Sequence, residues 1–120
     1  MNDYDLQDMS RLVKQINRFV LAFNRLRASH GLDFDDFLIV LAVVEINFRY
    51  KVLYPAPAQS VAAYIQMPYQ TARRRLAVLA EAGHLHRSEN GGYIVTNINL
   101  PKELLRAFRQ ETDIEPDGER

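Results

Sequence analysis

Residues 60–96 have the sequence SVAAYIQMPYQTARRRLAVLAEAGHLHRSENGGYIVT, which specifies local structure more closely than any other part of the chain. The stretch begins with apolar residues at helical spacing and predicts a short helix with Ser60 as its N-cap. A turn is expected at residues 66–67. Pro68 suits the first position of a second helix, because the backbone N–H at that position has no helical partner anyway. Gly83 predicts a left-handed C-cap that ends this second helix.

The second helix is predicted to have one apolar and one polar face. At 100° per residue, Ala72, Leu76 and Leu79 fall within one narrow arc, so this arc should face a core. The polar positions near the start of the helix are Tyr69, Gln70, Thr71, Arg73, Arg74 and Arg75. Most of them lie outside the apolar arc, where solvent or a ligand would meet them.

Three consecutive arginines stand near the start of this helix. A solvated helix face is one interpretation, but such a face does not need three guanidinium groups in a row. A helix that enters the major groove of DNA does, because arginine recognises guanine through paired hydrogen bonds and also binds phosphate. Gln70, Arg73 and Arg74 lie opposite the apolar arc and suit base contacts. Arg75 borders that arc and suits phosphate.

Beyond Gly83 the pattern changes from helix to strand. Residues 84–87 and 92–96 are two β-type runs on either side of Ser88-Glu89-Asn90-Gly91. Asn-Gly between such runs is the strongest short-range hairpin signal, and we expect a type I′ turn with positive φ at Gly91. Helix, turn, helix and hairpin together predict a winged helix-turn-helix.

This stretch resembles the MarR-type transcription regulators and the winged DNA-binding domains of related bacterial repressors. The matching residues are Pro68, Thr71, Arg74-Arg75-Leu76, Leu79, Glu81, Gly83, Leu85-His86-Arg87 and Gly91-Gly92-Tyr93. The resemblance covers residues 60–96 closely and the rest of the layout loosely. It implies a mainly α fold with a small β-hairpin wing, in which a long N-terminal and a short C-terminal helix form a homodimer. It also implies that a recognition helix over residues 68–82 enters the major groove of double-stranded DNA.

The wing departs from the pattern of MarR-like proteins that have a long basic wing. Its tip, Glu89-Asn90-Gly91, carries no basic residue. Arg87 is a candidate for phosphate or minor-groove contact, with an ordinary surface residue as the alternative. His84 and His86 share one strand face, but no cysteine or third histidine is near them. Positions close to phosphate are therefore a better interpretation than a metal site.

Two long helices are predicted before this stretch. Residues 5–30 have apolar side chains in a repeat of three and four, which forms a stripe wider than a small winged domain needs. A dimer arm is the sharper interpretation and an internal core is the alternative. The helix should end at His30-Gly31. Asp33 should cap a central helix over residues 33–53, which is apolar on nearly every side and must be surrounded by protein.

The remaining segments predict a loop, a short helix and a tail. Two prolines within residues 54–58 preclude a regular helix there. Residues 100–111 are expected to form a C-terminal helix that joins the dimer interface. Its apolar face is Leu104, Leu105 and Phe108. Residues 112–120 are polar and acidic, and we expect disorder there. Residues 1–111 would then form a single winged helix-turn-helix domain.

Composition limits the function further. The chain has 120 residues, no cysteine, and fifteen basic against fifteen acidic residues, so its net charge is zero. A disulfide framework and a thiol nucleophile are excluded. Zero net charge is weak evidence against a nucleic-acid partner, but residues 60–98 carry four basic and two acidic side chains. The sequence shows no secretion signal and no apolar run long enough to span a membrane, which predicts the cytoplasm.

Catalysis is not indicated. No arrangement of nucleophile and base, phosphate loop or paired carboxylates rises above chance, so we expect neither an enzyme nor a cofactor. A small-molecule effector pocket like those of MarR-like regulators is one interpretation of four aromatic residues, and core packing is the simpler one. These residues are Phe23, Phe48, Tyr50 and Tyr54.

The sequence therefore predicts a homodimeric, sequence-specific, DNA-binding transcription regulator, with which a small-molecule effector is compatible. Bases would be contacted by Gln70, Arg73 and Arg74, and phosphates mainly by Tyr69, Thr71, Arg75 and Arg87. The alternative is a winged helix that has lost DNA binding and holds a protein partner through its apolar helices. Zero net charge and the short wing favour this alternative, whereas the arginine cluster opposes it.

Overall fold

The computed structural model describes residues 5–96, 99, 101–103, 105, 106 and 109. The elements in chain order are α1 (Leu6–His30), α2 (Phe34–Asn47), α3 (Ala58–Ile65), α4 (Tyr69–Glu81), β1 (Leu85–Arg87) and β2 (Tyr93–Val95). The described residues between 99 and 109 are helical. The chain divides into two compact units, one with residues 1–31 and 102–120 and the other with Leu32–Pro101. This mainly helical structure with one antiparallel hairpin confirms the predicted fold class.

α1 forms where the sequence predicts the first helix. The Asp5 side chain caps it by accepting a hydrogen bond from the Asp8 N–H at 2.8 Å, and Gly31 ends it with a left-handed φ of 70°. In the same unit, Nε2 of His30 lies 2.8 Å from a carboxylate oxygen of Glu103. The buried residues of α1 are Ala22, Phe23 and Leu26. Seven other large apolar side chains are exposed along α1: Leu6, Met9, Leu12, Val13, Ile16, Val20 and Leu21.

α2 begins at its predicted cap and ends earlier than predicted. The Asp33 side chain accepts a hydrogen bond from the Asp36 N–H at 2.8 Å. Most of the helix is buried, as an apolar helix surrounded by protein should be. Its fully buried residues are Phe37, Ile39, Val40, Ala42, Val43 and Asn47. The helix stops at Asn47, so the predicted extension to residue 53 is wrong.

Asn47 explains the early end of α2. Its side chain is fully buried, and its Nδ2 donates to the backbone carbonyls of Tyr54 and Tyr93 at 2.8 and 3.0 Å. Its Oδ1 accepts from the N–H of Val95 at 2.8 Å. The Asn47 backbone carbonyl also accepts from the Tyr54 N–H at 3.1 Å. The chain leaves the helix at this point because one buried amide joins α2 to the next loop and to β2.

α3 and α4 form the helix-turn-helix, with two corrections at their starts. Ser60 lies inside the first turn of α3, so the predicted Ser60 N-cap is wrong. The helix begins earlier because the Pro57 carbonyl already accepts a helical hydrogen bond from the Val61 N–H at 3.0 Å. Pro68 is the N-cap of α4 and not its first residue, since its ψ of 139° is extended.

The turn between the helices and the end of α4 agree with the sequence. Gln66 occupies the turn with a left-handed φ of 57°. Gly83 has a φ of 92°, and its N–H donates to the Ala80 carbonyl at 3.1 Å. The N–H of His84 donates to the Leu79 carbonyl at 3.0 Å. These two bonds form a Schellman motif, which satisfies carbonyls that the helix end would leave unpaired.

The wing is a hairpin with a different turn from the predicted type I′. β1 and β2 pair antiparallel in the register Leu85–Val95, His86–Ile94 and Arg87–Tyr93. The Ser88 N–H donates to the Gly92 carbonyl at 2.7 Å, and the Ser88 carbonyl accepts from the Gly91 N–H at 2.9 Å. Gln66 is the one described non-glycine residue with positive φ, so Asn90 cannot be in a type I′ turn. The loop is of the three-residue kind, closed by the left-handed Gly91.

The wing rests on the loop that precedes α3. Ala56 and Tyr93 exchange two backbone hydrogen bonds of 2.9 and 2.8 Å. Gly92 lies so close to this loop that a Cβ atom on it would be 2.7 Å from the Cβ of Pro55. The backbone of residue 92 therefore has room for glycine alone, and the position of the wing beside α4 is fixed by backbone contacts.

Some predictions concern residues outside this description. Leu104 and Phe108, two of the three residues of the predicted C-terminal apolar face, are outside the described residues, as is the predicted tail at 112–120. No helix within the described residues is long and apolar enough to cross a membrane.

Candidate nucleic-acid interface

A groove of about 820 Å³ lies between α4, the wing and the loop before α3. All of its lining residues belong to the unit Leu32–Pro101. Its polar lining is Gln59, Gln70, Arg73, Arg74, Arg87 and Asn90, and its aromatic lining is Tyr54, Tyr69 and Tyr93. The groove thus joins the exposed face of the second helix of the helix-turn-helix to the tip of the wing.

Three guanidinium groups line this groove and have no partner among the described residues. Arg73 and Arg74 come from α4, and Arg87 is the last residue of β1. Within the part of the chain that the structure describes, none of the three takes part in a hydrogen bond or an ion pair. Three cations that are not neutralised around one concave surface attract a polyanion.

The packing of α4 directs these side chains outward. Ala72 and Leu76 are fully buried and Leu79 is nearly so, which confirms the predicted apolar arc. Residues 73 and 74 follow Ala72 at 100° and 200° around the helix, so both face away from the core. On β1, Leu85 is buried whereas Arg87 is exposed, and the guanidinium group reaches the groove from the opposite side.

Arg75 has a different environment from its two neighbours. Its Nη1 lies 3.0 Å from Oδ1 of Asp36 and 3.3 Å from Oδ2 of Asp33. Its Nη2 lies 3.6 Å from Oδ2 of Asp35. The side chain therefore joins α4 to the N-terminal turn of α2, and carboxylates within the chain neutralise its charge.

The pKa shifts in this cluster have separate causes. The backbone N–H of Asp36, with a further contribution from Arg75, lowers the pKa of Asp33. Burial raises the pKa of Asp36, although hydrogen bonding to Arg75 opposes this. Hydrogen bonds to Asp36 and Asp33 raise the pKa of Arg75. The carboxylates that pair with the guanidinium group of Arg75 thus also stabilise its charged form.

A solved structure shares this architecture. The crystal structure of a MarR-family transcriptional regulator from Rhodococcus sp. RHA1 matches with a TM-score of 0.59 at 14% sequence identity, covering 99% of this chain and 87% of that chain. The chain has a MarR-like fold. No protein-family model matches its sequence, and no curated protein matches it either. The structural likeness establishes the fold, and function must be argued from the groove.

In this MarR-like fold, the groove gathers most of the predicted site residues. Those that line it are Tyr69, Gln70, Arg73, Arg74 and Arg87. Thr71 is partly buried on α4 and is not part of the lining, and Arg75 points to α2 instead. The groove therefore brings together five residues that the sequence placed on two separate elements.

Four further polar or aromatic residues of the lining are not predicted by the sequence as part of this site: Tyr54, Gln59, Asn90 and Tyr93. With Ser60 expected as the N-cap of α3, Gln59 falls in the preceding loop, where nothing indicates a role for it. The Asn-Gly signal that predicts a hairpin also places Asn90 at the wing tip, and this signal could have added Asn90 to the site. Tyr54 follows α2 in a loop, where no periodicity indicates which way a side chain points.

The aromatic residues near the end of α2 are not packed in a core. Phe23 is buried, but Phe48, Tyr50 and Tyr54 are between 49% and 59% exposed. Tyr50 and Tyr54 contact each other edge to face, with ring centroids 5.9 Å apart. Core packing, the simpler interpretation of the sequence, is therefore wrong for these three residues.

The two histidines beside the wing belong to no metal-binding cluster among the described residues. His84 precedes β1 and is partly buried, whereas His86 within β1 is exposed. Among the residues that the structure describes, no group of three histidine, cysteine or acidic side chains could hold a metal ion.

Proposed function

We propose that this chain is a transcription regulator that binds double-stranded DNA as a homodimer, with α4 in the major groove. The observation that carries the proposal is the groove between α4 and the wing, where three guanidinium groups have no partner among the described residues. DNA offers base edges to the exposed start of a recognition helix and phosphates to the residues on either side of it. The sugar–phosphate strand beside the major groove would then run along the groove between α4 and the wing.

The residue roles follow from position on α4 and the wing. We assign base contacts to Gln70, Arg73 and Arg74, since arginine and glutamine pair with guanine and adenine edges. We assign phosphate contacts to Tyr69, Thr71 and Arg87, of which Tyr69 and Arg87 line the groove. Arg75, which the sequence also assigned to phosphate, is left out of this interface because it already pairs with three carboxylates, those of the cap Asp33 and of Asp35 and Asp36 in α2.

The homodimer is proposed from the surface of α1. Its exposed apolar side chains form a stripe that extends from Leu6 to Val20. A second copy related by a two-fold axis would cover this stripe and remove it from water. A two-fold homodimer presents two recognition helices to two half-sites, which predicts a palindromic operator.

A salt titration tests DNA binding directly. Purified protein should bind a random duplex at about 50 mM salt and lose affinity steeply by about 200 mM, because phosphate contacts release counterions. Arg74→Ala should weaken this binding. The matched control is Arg11→Ala, which removes the same charge from an exposed position on α1. Absence of binding at low salt by a folded protein would contradict the proposal.

An apolar surface favours the rival function, a protein-interaction module. Five large apolar or aromatic side chains in the segment after α2 are between 49% and 69% exposed: Phe48, Tyr50, Val52, Leu53 and Tyr54. A partner protein could bury such a patch without using the arginines. In that case Arg74→Ala and Arg11→Ala would behave alike, and neither variant nor the native chain would bind DNA.

A further inference from the structure

Two tyrosine rings that line the groove remain exposed. Tyr69 is the first residue of α4 and is 41% exposed, and Tyr54 in the loop before α3 is 49% exposed. Tyr93, the third aromatic residue of the lining, is buried. The bases of a duplex are stacked on one another, so they have no free face to offer to a tyrosine ring. The phosphate contact assigned above uses the hydroxyl group of Tyr69, and duplex binding therefore leaves both rings without a role.

The loop that carries Tyr54 is held in place by backbone and ring contacts. The Tyr54 N–H donates to the Asn47 carbonyl at 3.1 Å, and the Tyr54 carbonyl accepts from Nδ2 of Asn47 at 2.8 Å. Two residues further on, Ala56 is paired with Tyr93 of β2. The rings of Tyr50 and Tyr54 contact each other edge to face. A ring that is held in this way loses little conformational freedom when a ligand stacks on it, which favours binding.

The spacing on α4 places a ring beside a guanidinium group. Tyr69 lies four residues before Arg73, and side chains four apart on a helix are neighbours on one face, with Cβ atoms about 5–6 Å apart. The base and the phosphate of one nucleotide are neighbours in the same way. Gln70 and Arg74 repeat this spacing with an amide in place of the ring. α4 therefore presents two pairs in which one side chain suits a base and the other suits a phosphate.

Three side-chain amides complete the lining. Gln59, Gln70 and Asn90 make no side-chain hydrogen bond with any described residue. An amide both donates and accepts hydrogen bonds, so it can pair with the Watson–Crick edge of a base. In a duplex the partner base already occupies this edge, whereas in a single strand the edge is open. The amides and the tyrosine rings thus both match bases that are unpaired and unstacked.

We propose that the groove also binds single-stranded nucleic acid, with bases stacked on Tyr54 and Tyr69 and phosphates held by Arg73, Arg74 and Arg87. A cationic groove with exposed aromatic rings is the combination with which proteins hold single strands. The shared chemistry is a phosphate backbone with unpaired bases, which DNA and RNA both supply. This inference concerns the same groove as the function proposed above, but it does not depend on duplex binding.

The first experiment measures what the bases contribute. A fluorescent oligothymidine of about eight nucleotides is titrated with the full chain at about 50 mM salt, next to an abasic strand that has the same number of phosphates. The oligothymidine should bind at least about tenfold more tightly, because only its bases can stack on the two rings. A titration with oligouridine of the same length then distinguishes a preference for DNA from a preference for RNA.

The second experiment tests the two rings. Tyr54→Leu and Tyr69→Leu each remove one ring, and each should weaken oligothymidine binding at least about fivefold and weaken duplex binding less. Tyr54→Phe keeps the ring and should restore the affinity for oligothymidine that Tyr54→Leu loses. The matched control is Tyr64→Leu, which removes an exposed ring of α3 that does not line the groove and should leave oligothymidine affinity unchanged.

The outcomes separate this inference from the proposed function. If the abasic strand binds as tightly as oligothymidine, phosphate attraction explains the data and the inference is wrong, while duplex binding is unaffected. If Tyr64→Leu weakens binding as much as Tyr69→Leu, the groove is not the site and the inference is again wrong. If oligothymidine binds through Tyr54 and Tyr69 while no duplex binds, the inference stands and the regulator proposal fails.

Discussion

Asn47 and the arginines that line the groove are polar side chains in opposite environments. Asn47 is fully buried and makes three side-chain hydrogen bonds that join α2, the following loop and β2. Arg73, Arg74 and Arg87 are exposed and have no partner within the described residues. A polar group that the chain itself satisfies contributes to stability, whereas one that the chain leaves open is available to a ligand.

Arg75 lies between these extremes. It follows Arg73 and Arg74 directly in sequence, but its side chain is about one-third exposed and its guanidinium group faces three carboxylates. Arginine therefore stabilises the fold at position 75, whereas at positions 73 and 74 it is available to a ligand. Substitutions at these positions should separate stability from DNA affinity.

Asn47→Ala should have the largest effect on stability. Removal of the amide leaves the Val95 N–H without its acceptor and the Tyr54 carbonyl without its side-chain donor, and we expect the free energy of unfolding to fall by roughly 3 kcal/mol. Urea denaturation measures it. The matched control is Gln15→Ala, an exposed position on the side of α1 opposite its apolar stripe, which should change stability by less than about 0.5 kcal/mol. Equal effects at both positions would contradict the structural role of Asn47.

Arg74→Ala should have the next largest effect, on DNA and not on stability. A paired arginine–guanine contact discriminates between bases by about 1–3 kcal/mol, so affinity for the operator should fall more than affinity for a scrambled duplex. Arg87→Ala should lower both affinities about equally and reduce the salt slope by about one unit for each phosphate that the variant no longer neutralises. If Arg74→Ala and Arg87→Ala change the ratio of operator affinity to scrambled-duplex affinity equally, the arginines provide only a positively charged surface and read no bases.

Gly83→Val should have a smaller effect, confined to stability. Space is not the limit, since a Cβ atom at Gly83 would meet nothing within 4 Å. The strain comes from the left-handed φ of 92°, and a β-branched residue with this φ should lower the free energy of unfolding by about 1–2 kcal/mol. Gly83→Asn is the control, because asparagine adopts this conformation more readily. An unchanged urea midpoint for Gly83→Val would show that α4 does not need this helix end.

Local signals in the sequence are sufficient to predict much of this fold. The caps at Asp33, Gly31 and Gly83 each depend on residues within one helical turn, and all three predictions are confirmed. The apolar arc of α4 also depends on local spacing, and it is confirmed too. Because that arc faces inward, Arg73 and Arg74 must face outward, so the sequence can place them on the open side of the helix.

The features that the sequence does not predict depend on distant partners. Asn47 ends α2 through a hydrogen bond with a residue 48 positions away, which no local pattern reveals. Arg75 pairs with carboxylates 39 and 42 positions away, so position on a helical wheel cannot distinguish a phosphate contact from an internal ion pair. The groove itself requires Tyr54, α4 and the wing to be brought together.

Arg75→Met should have the smallest effect. Methionine keeps most of the packing volume and removes the charge, and partly exposed ion pairs contribute roughly 1 kcal/mol or less. DNA affinity and its salt slope should stay unchanged, because this guanidinium group belongs to the contact between α2 and α4. If Arg75→Met lowers affinity for random DNA as much as Arg87→Ala, Arg75 is a phosphate ligand after all and the ion pairs open on binding.

The pH dependence of the Arg75→Met effect supplies an independent measurement. The lowered pKa of Asp33 means that its ionised form stabilises the fold above the ordinary value of 3.8, and this stability disappears as pH falls through the lowered pKa. The raised pKa of Asp36 affects stability in the opposite direction, since ionisation of this buried carboxyl lowers stability as pH rises.

Arg75 compensates both carboxylates only while they are charged. The difference in unfolding free energy between native and Arg75→Met protein should therefore be largest near pH 7 and shrink toward about pH 3. A difference that does not change with pH would mean that the arginine stabilises the fold through packing alone.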